Sequence, residues 1–268
     1  TGKLQTLAGK LETPDEGYRS RFDRKDELAQ PGYYSVLLKD YNIKAELTAT
    51  PRVAFHRYTF PASQASNILF DIGHKQGESG EVKDAKVYIT EDGRIEGYVT
   101  TVPVYVLKYQ AGADVTLYFS AVADKRPTAV GVFKGSEITA NQKEISGKGA
   151  GLYLTFATKD QESITVKAGL SYTSIENARL NLKQEAADLT FDQAKTKATD
   201  TWAADLGRIT VSSKNKADMV KFYTGLYHSL LGRGLASDVN GAYPKDNGTI
   251  GEIQLDKNTQ PLHNHYNT

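Results

Sequence analysis

Apolar and polar residues alternate along most of the first 172 residues of the chain. The alternation is clear at 43–48, where apolar residues occupy positions 43, 45 and 47. A period of two is typical of half-buried β-strands. Similar runs, together with a short apolar run at 67–72 that is read as a strand covered on both faces, predict at least ten strands. The others lie at 33–38, 43–48, 52–60, 85–90, 94–106, 114–122, 128–133, 151–158 and 163–172. With no helical pattern between them, they predict an antiparallel sandwich and exclude β-α-β winding.

Glycine and polar residues indicate where turns and loops connect these strands. Asp92 and Gly93 stand between two alternating runs, and this pair supplies the positive φ angles of a tight hairpin. The segment 73–80 is rich in glycine and polar residues, which predicts a loop. The first 30 residues are polar and without periodicity, so we expect an irregular lead-in.

The pattern becomes helical near Thr173. Thr173-x-x-Glu176 and Thr190-x-x-Gln193 each fit a capping box, in which side chains satisfy free backbone N–H groups at a helix start. Apolar stripes predict a helix after each box and a third helix over about 217–231. The stripes comprise Ile175, Ala178, Leu182 and Ala186, then Phe191, Ala194, Ala198, Trp202, Leu206 and Ile209, then Val220, Tyr223, Leu226, Tyr227, Leu230 and Leu231.

The last 31 residues, 238–268, show no clear periodicity and predict a loop. Structureless segments of this length are uncommon in compact domains. In addition, the apolar stripe of the third helix has little helical partner in the remaining sequence. Both observations lead us to expect that the chain stops inside its second domain.

Composition narrows the possible functions. The 33 Lys and Arg residues balance 32 Asp and Glu residues to a net charge of +1, which argues against a nucleic-acid-binding protein with a strong basic field. The absence of cysteine excludes disulfides, thiolate chemistry and cysteine-ligated metals. No apolar run approaches the roughly 18 residues that span a membrane, so we expect no membrane span. From the balanced charge we expect no nucleic-acid partner.

The clearest polar motif is Asp-Val-Asn-Gly at 238–241, which is similar to the start of an EF-hand calcium loop. That loop would need a ligand at Ala242 and a glycine at Tyr243, and it has neither. Two interpretations remain open for the motif. It is a polar turn, or it is an oxygen-rich contact for a sugar.

The histidines do not form an evident metal site. His263 and His265 would face one side of a strand, but no third ligand is evident among His56, His74 and His228. We interpret His56 and His228 as packing histidines. The sequence also lacks a Gly-x-Ser-x-Gly elbow, a phosphate-binding glycine loop and a His-Glu-x-x-His motif.

Several segments, taken together and in order, carry a family resemblance. They are PGYYSV at 31–36, IKAELTATPRVAFHRYTFP at 43–61, GLSYTSIENA at 169–178, Trp202-x-x-x-Leu206, FYTGLYHSLL at 222–231 and DVNGAY at 238–243. They resemble the N-terminal domain, the linker helices and the opening of the catalytic domain of glycoside hydrolase family 92, a family of α-mannosidases. The resemblance extends from about residue 17 to residue 268.

The resemblance implies an N-terminal β-sandwich, a helical linker and a catalytic (α/α)6 barrel. It also implies exo-acting hydrolysis of terminal α-mannose, often α-1,2-linked, with inversion and a calcium ion. Two family segments, one expected before Thr1 and one after Thr268, are missing. The later part of the family carries the acid, the base and the calcium ligands, so we expect no catalytic residue and no metal ligand in this chain, and no activity from it alone.

We therefore predict a mostly β fold: an antiparallel β-sandwich domain at 1–173, a helical linker at 174–210 and the start of a truncated α/α barrel at 211–268. Because family sites lie between the two domains, the candidate substrate-binding residues are Asp238, Asn240, Tyr243 and His265. The expected partners are mannose-containing glycans and the missing catalytic portion. The family's role in glycan foraging implies a periplasmic, extracellular or cell-surface location. The alternative is a non-catalytic carbohydrate-binding or interaction module.

Overall fold

The computed structural model describes residues 3–10, 12–13, 16–75, 80–104, 108, 113–231, 234–245 and 248–267. The last two residues of the predicted strand at 94–106 and the middle of the predicted loop at 73–80 lie outside this range. Within it, the chain forms two antiparallel β-sheets, then three helices, then a segment of short strands.

The strands and helices have the following bounds. The strands of the two large sheets are β1 Glu27–Gln30, β2 Tyr33–Leu38, β3 Ile43–Ala49, β4 Val53–Phe60, β5 Ser63–Asp71, β6 Glu81–Ile89, β7 Ile95–Val102, β8 Val115–Ala123, β9 Ala129–Lys134, β10 Glu137–Ala140, β11 Glu144–Ser146, β12 Ala150–Thr158 and β13 Glu162–Ser171. The helices are α1 Ile175–Ala186, α2 Phe191–Leu206 and α3 Lys216–Leu230. The remaining strands are β14 Gly234–Leu235, β15 Ala242–Pro244, β16 Ile250–Glu252 and β17 Tyr266–Asn267.

The two large sheets confirm the predicted mostly β, antiparallel architecture. The nine-stranded sheet has the order β1-β2-β3-β4-β13-β8-β7-β6-β11, and the four-stranded sheet has the order β10-β9-β12-β5. Ile89 pairs with Ile95 across the turn that contains Gly93, whose φ is +86°, so the predicted hairpin is confirmed. Three strands of these two sheets were not predicted, namely β1, β10 and β11, because they are short and mostly exposed and therefore lack a strong apolar alternation.

A single apolar core lies between the two sheets. Alternate residues of β12 point into it, including Leu152, Leu154 and Phe156, which are at most 1% exposed. The nine-stranded sheet contributes Ile43, Phe60, Val87, Ile95, Phe119, Ala121, Ile164 and Val166. This alternation places the intervening residues of the nine-stranded sheet on its other face.

Helices α1 and α2 cover part of that other face. A second cluster of buried residues joins sheet and helices, and it comprises Tyr33, Val53, Phe55, Leu182, Ala186, Phe191 and Ala194. The predicted stripe of the first helix is confirmed at Ala178, Leu182 and Ala186. The α2 stripe buries only Phe191 and Ala194, so its later members are more exposed than the pattern predicts.

Of the two predicted capping boxes, one is present and the other is not. The box of Thr190 and Gln193 is present at the start of α2. The box of Thr173 and Glu176 is wrong, because the N-cap of α1 is Ser174, whose side chain accepts a hydrogen bond from the backbone of Asn177. The hydroxyl of Thr173 instead donates to an aspartate from the C-terminal segment.

Helix α3 packs least of the three. None of its described side chains is buried, and Val220 is 57% exposed. This agrees with the expectation of an apolar stripe that the rest of the sequence does not cover. No described helix is long and apolar enough to cross a membrane.

The predicted loop at 238–268 contains one small antiparallel pair, β15 with β16, and its strand β17 pairs with β14, which precedes the loop. The prediction missed them because each strand has only two or three residues, too few to show a period of two. The pair β15–β16 brings Tyr243 opposite Gly251. The loop is therefore folded back on itself rather than structureless.

Two buried carboxylates fasten the helices to the sheet. Glu96 on β7 is fully buried, and Arg179 of α1 donates to it through Nε at 2.6 Å and Nη2 at 2.5 Å. Ser120 donates a third hydrogen bond at 2.9 Å. Burial acts to raise the pKa of Glu96, but the hydrogen bonds from Arg179 and Ser120 outweigh it and leave the pKa below its ordinary value.

The second carboxylate is Glu46 on β3, which accepts hydrogen bonds from Tyr33 at 2.7 Å and from Arg57 at 3.0 Å. Arg57 also contacts α2, because it pairs with Asp192 at 3.0 Å and lies 4.1 Å over the ring of Phe191. Burial acts to raise the pKa of Glu46, yet Arg57 and Tyr33 lower it from 4.5 to about 2. The ionised carboxylate therefore links β3, β4 and α2.

The low pKa of Glu46 predicts an acid-sensitive contribution to stability. Because the folded pKa lies below the ordinary value, the carboxylate stabilises the fold above pH 4.5, and this contribution is lost as the pH falls towards 2. We expect Glu46→Gln to be less stable than the wild type at pH 7. Urea unfolding at several pH values should show this gap narrowing by about 3 kcal/mol towards pH 2. Glu137→Gln, at an exposed site, is the control, and a gap that does not change with pH would contradict the prediction.

Gly169 on β13 allows the close approach of α1 to the sheet. A Cβ at this position would lie 2.3 Å from the carbonyl oxygen of Ala178 and 2.7 Å from the Cβ of Leu182. Backbone atoms of a helix cannot move aside as a flexible side chain can. The absence of a side chain at Gly169 is therefore a requirement of the packing of α1.

We expect Gly169→Ala to lower the free energy of unfolding by about 1–3 kcal/mol, as overpacking does in other cores. Chemical unfolding measures this loss. The matched control is Gly225→Ala on α3, where an added Cβ meets nothing within 4 Å. Alanine is favoured over glycine in helices by about 1 kcal/mol, so the control should be neutral or stabilising. Equal effects at the two sites would refute the packing argument.

Candidate functional site

Asp238 lies in the interior, where the end of β13, the connection to α1 and α1 itself meet. It is 2% exposed. Its Oδ2 accepts hydrogen bonds from the hydroxyls of Ser171 at 2.9 Å and Thr173 at 2.5 Å, and its Oδ1 accepts one from Asn181 Nδ2 at 2.6 Å. The carboxylate therefore bonds to the protein itself. Its predicted contact with substrate stays a prediction.

The residues that follow Asp238 form a tight turn towards the surface. Gly241, with a φ of +85°, donates its backbone N–H to the carbonyl of Asp238 at 2.9 Å, and Asp238 donates its own to Ala242 at 2.8 Å. A positive φ favours glycine at this position. Asn240 is exposed in the turn, and its Nδ2 donates to Asn177 Oδ1 of α1 at 3.0 Å. The turn thus presents an amide side chain beside the start of α1.

Tyr243 and His265 form a partly exposed aromatic pair. Their ring centroids are 4.3 Å apart, with an angle of 30° between the planes. The ring of Tyr243 lies on Gly251, where an added Cβ would come within 2.4 Å of it. The backbone N–H of His265 donates to Ser237 Oγ at 3.0 Å. Strand pairing on one side and Ser237 on the other therefore fix both rings.

The structure joins the four predicted residues into one connected set. Asp238 and Asn240 belong to the same turn, Tyr243 follows that turn, and His265 returns to it through Ser237.

Arg52, at the turn between β3 and β4, is an anchor that the sequence pattern did not reveal. Its Nε donates to the carbonyl of Ser237 at 2.5 Å, and its Nη1 pairs with Glu185 of α1 at 2.8 Å. The Glu185 carboxylate also accepts from the backbone of Arg52 at 2.9 Å and from the hydroxyl of Thr50 at 2.6 Å. The sandwich therefore holds the segment that precedes Asp238.

Two tyrosines near this segment were also missed. The cross-strand register places Tyr118 beside Ser171, and Tyr98 beside Tyr118, on the face that α1 covers in part. The two rings are 6.0 Å apart, and Tyr98 donates to Asp84 at 2.7 Å. Their alternation with buried residues looks like ordinary strand patterning, so the sequence gives no separate signal for them.

His56 and His228 lie in different surroundings. His56 lies 3.1 Å from the Tyr58 hydroxyl, and burial lowers its pKa, in agreement with a packing role. His228 is exposed on α3, so its interpretation as a packing histidine is wrong, because α3 buries none of its described side chains. Among the described residues, no three His, Asp or Glu side chains come close enough to hold a metal ion.

Two family models match the sequence in consecutive segments. Residues 1–171 match the glycosyl hydrolase family 92 N-terminal domain, and residues 177–268 match the glycosyl hydrolase family 92 catalytic domain. The chain belongs to glycosyl hydrolase family 92. Asp238, Asn240, Tyr243 and His265 all fall in the segment that matches the family 92 catalytic domain. A search of curated proteins found no match.

Solved structures of family 92 proteins are similar to this chain. The α-mannosidase BT3965 from Bacteroides thetaiotaomicron has a TM-score of 0.87 at 28% identity, over 99% of this chain and 34% of that chain, and it has also been solved in complex with mannoimidazole. The family 92 glycosyl hydrolase ccman5 has a TM-score of 0.77 at 26% identity, over 93% of this chain and 33% of that chain. This family 92 chain therefore spans about a third of the length of these relatives.

The inverting mannosidase BT2199 from the same Bacteroides species is less similar in sequence. Its identity is 22% and its TM-score is 0.74, over 88% of this chain and 31% of that chain. At this identity the likeness supports the family 92 fold alone.

Proposed function

We propose that the whole protein is an exo-acting α-mannosidase that removes terminal mannose, α-1,2-linked in particular, from glycans with inversion of configuration. The observation that carries this proposal is the match of both family 92 models along the chain. The likeness to the α-mannosidase BT3965 over 99% of the chain supports the choice of mannosides as substrates. N-linked glycans are the substrate class that we propose.

Inversion requires two carboxyl groups on opposite sides of the sugar. One protonates the leaving oxygen, and the other activates a water molecule, with about 6.5–9.5 Å between them. We assign neither role to a residue of this chain, and we propose that the acid and the base belong to the rest of the whole protein. The 268 residues would then supply one wall of the pocket.

The proposed wall consists of Asn240, Tyr243 and His265. The exposed amide of Asn240 donates to Asn177 and accepts from the backbone of Ala242, and its second N–H and second lone pair are of the kind that sugar hydroxyls require. The ring pair of Tyr243 and His265 offers an apolar surface with polar edges, which suits the two kinds of face on a pyranose. Asp238 supports this wall from the interior.

Calcium and the cellular location form the remaining part of the proposal. We propose that the whole protein binds a calcium ion through residues other than those described, and that it works in the periplasm or outside the cell. The described residues contain no group of three His, Asp or Glu ligands, so no step of the reaction is assigned to the ion in this chain.

A non-catalytic carbohydrate-binding module is the second candidate. One observation favours it: Tyr98 and Tyr118 form an aromatic pair on a sheet face, and Asp84 adds a carboxylate beside it. Calorimetry with mannose oligosaccharides would support this candidate if binding occurred without turnover by the whole protein.

The activity itself is the first prediction for the whole protein. We expect it to hydrolyse α-1,2-mannobiose, with β-mannose as the first product in proton NMR spectra, because inversion converts an α-linkage into a β-product. EDTA treatment followed by added calcium tests the metal in the same assay. We expect the isolated 268-residue chain to be inactive. α-Mannose as the first product, or activity of the isolated chain, would contradict the respective part of the proposal.

The proposed wall predicts which variants weaken substrate binding. Asn240→Ala and His265→Ala should each raise KM of the whole protein by about five- to tenfold, as the loss of one hydrogen bond does. Steady-state kinetics with α-1,2-mannobiose measures this. Asn258→Ala, at an exposed turn of the same segment, is the control and should leave KM unchanged. Unchanged KM in both wall variants would remove these residues from the site.

A further inference from the structure

We propose that Asp238 is a positioning residue, whose buried carboxylate sets the conformation of the 239–243 turn and so places Asn240, Tyr243 and His265. This inference rests on the proposed function, since the three residues are its proposed wall. The inference assigns Asp238 no contact with the sugar. Its effect on substrate binding would pass entirely through the residues that it holds.

The position of the carboxylate is the first step of the argument. Asp238 is 2% exposed, and its two oxygens accept three hydrogen bonds from Ser171, Thr173 and Asn181. These donors come from the last residue of β13, from the connection to α1 and from α1. A side chain enclosed in this way meets a ligand only if the fold opens.

The surroundings of Asp238 require an acceptor at this position. Ser171 Oγ already accepts the backbone N–H groups of Thr173 at 2.9 Å and Ser174 at 3.3 Å, so its own proton is directed to the carboxylate. Thr173 Oγ1 accepts from Asn177 Nδ2 at 2.7 Å and likewise donates to Asp238. An amide at position 238 would place its NH2 group either against these two hydroxyls, which already accept hydrogen bonds, or against the Nδ2 donor of Asn181.

The carboxylate is coupled to the turn through helix α1. Asn181 donates to Asp238 through Nδ2, while its Oδ1 accepts the backbone N–H of Val239 at 3.0 Å. One turn earlier on the same helix, Asn177 accepts from Asn240. Two amide side chains of α1 thus hold the turn: Asn181 holds the backbone of Val239, and Asn177 holds the side chain of Asn240. A shift of Asp238 would break this alignment and move Asn240.

The same carboxylate is coupled to the aromatic pair through its neighbour in sequence. Ser237 is 2% exposed, its Oγ accepts the backbone N–H of His265, and its backbone N–H donates to the carbonyl of His265. Tyr243 in turn lies 4.3 Å from the His265 ring. The backbone at 237–238 therefore controls both edges of the proposed wall.

A double-mutant cycle in the whole protein tests the inference. Asp238→Asn keeps the size of the side chain but replaces one acceptor oxygen by a donor. We expect it to raise KM for α-1,2-mannobiose about tenfold, with a smaller change in kcat. In the background Asn240→Ala/Tyr243→Ala/His265→Ala, the same substitution should change KM by less than about twofold, because all three residues through which it acts are gone.

Controls separate this effect from a general loss of structure and from failure of the proposed function. Asp256→Asn, at an aspartate that closes another turn of the same segment, should leave KM unchanged. If Asp238→Asn does not fold, Ser171→Ala, which removes one donor, carries the same cycle with a smaller effect. A full Asp238 effect in the background that lacks all three wall side chains would overturn the positioning role. A wild-type protein that neither binds nor hydrolyses mannosides would overturn the proposed function instead.

Discussion

Both faces of the nine-stranded sheet carry apolar side chains, and the architecture of the chain follows from the need to cover both. The four-stranded sheet covers one face and forms the main core with residues such as Phe60 and Ile95. The first two helices cover part of the other face, where Val53 and Phe55 would otherwise meet water. Because burial of such side chains contributes about 1.5–3 kcal/mol each, the helices belong to the sandwich energetically as well as in space.

Apolar packing covers the face, but polar contacts fix the position of the helices on it. The Glu96 carboxylate has one set of donors, and a displaced α1 would leave it buried without Arg179. Glu46 and Arg57 impose the same condition on α2. Removing one partner of a buried pair is strongly destabilising, because it leaves an uncompensated charge. The position of α1 on the sheet also determines the position of the candidate site, since the 237–240 segment is hydrogen-bonded to α1 and to Arg52.

Much of the fold could be predicted from periodicity, and little of the site could. The strands and helices follow from apolar spacing, and Gly93 marks a hairpin in any sequence of this kind. By contrast, Asn181 looks like a surface residue of α1, although it is fully buried and bonded to Asp238. Ser171 and Asp238 are 67 residues apart, and no local pattern connects them. Thr173 was assigned to a cap because its spacing fits one, whereas its hydroxyl serves a long-range contact.

The junction between the two family matches lies inside one continuously packed region of the structure. Severing the polypeptide at 172–176 would uncover Val53 and Phe55 and would deprive Glu96 of its guanidinium, since Arg179 lies beyond the junction. The smallest piece with a complete interior therefore extends beyond α2 to the C-terminal segment, because the buried Asp238 accepts the hydrogen bonds of Ser171, Thr173 and Asn181. A boundary drawn between the two family matches separates sequence segments and not separately packed bodies.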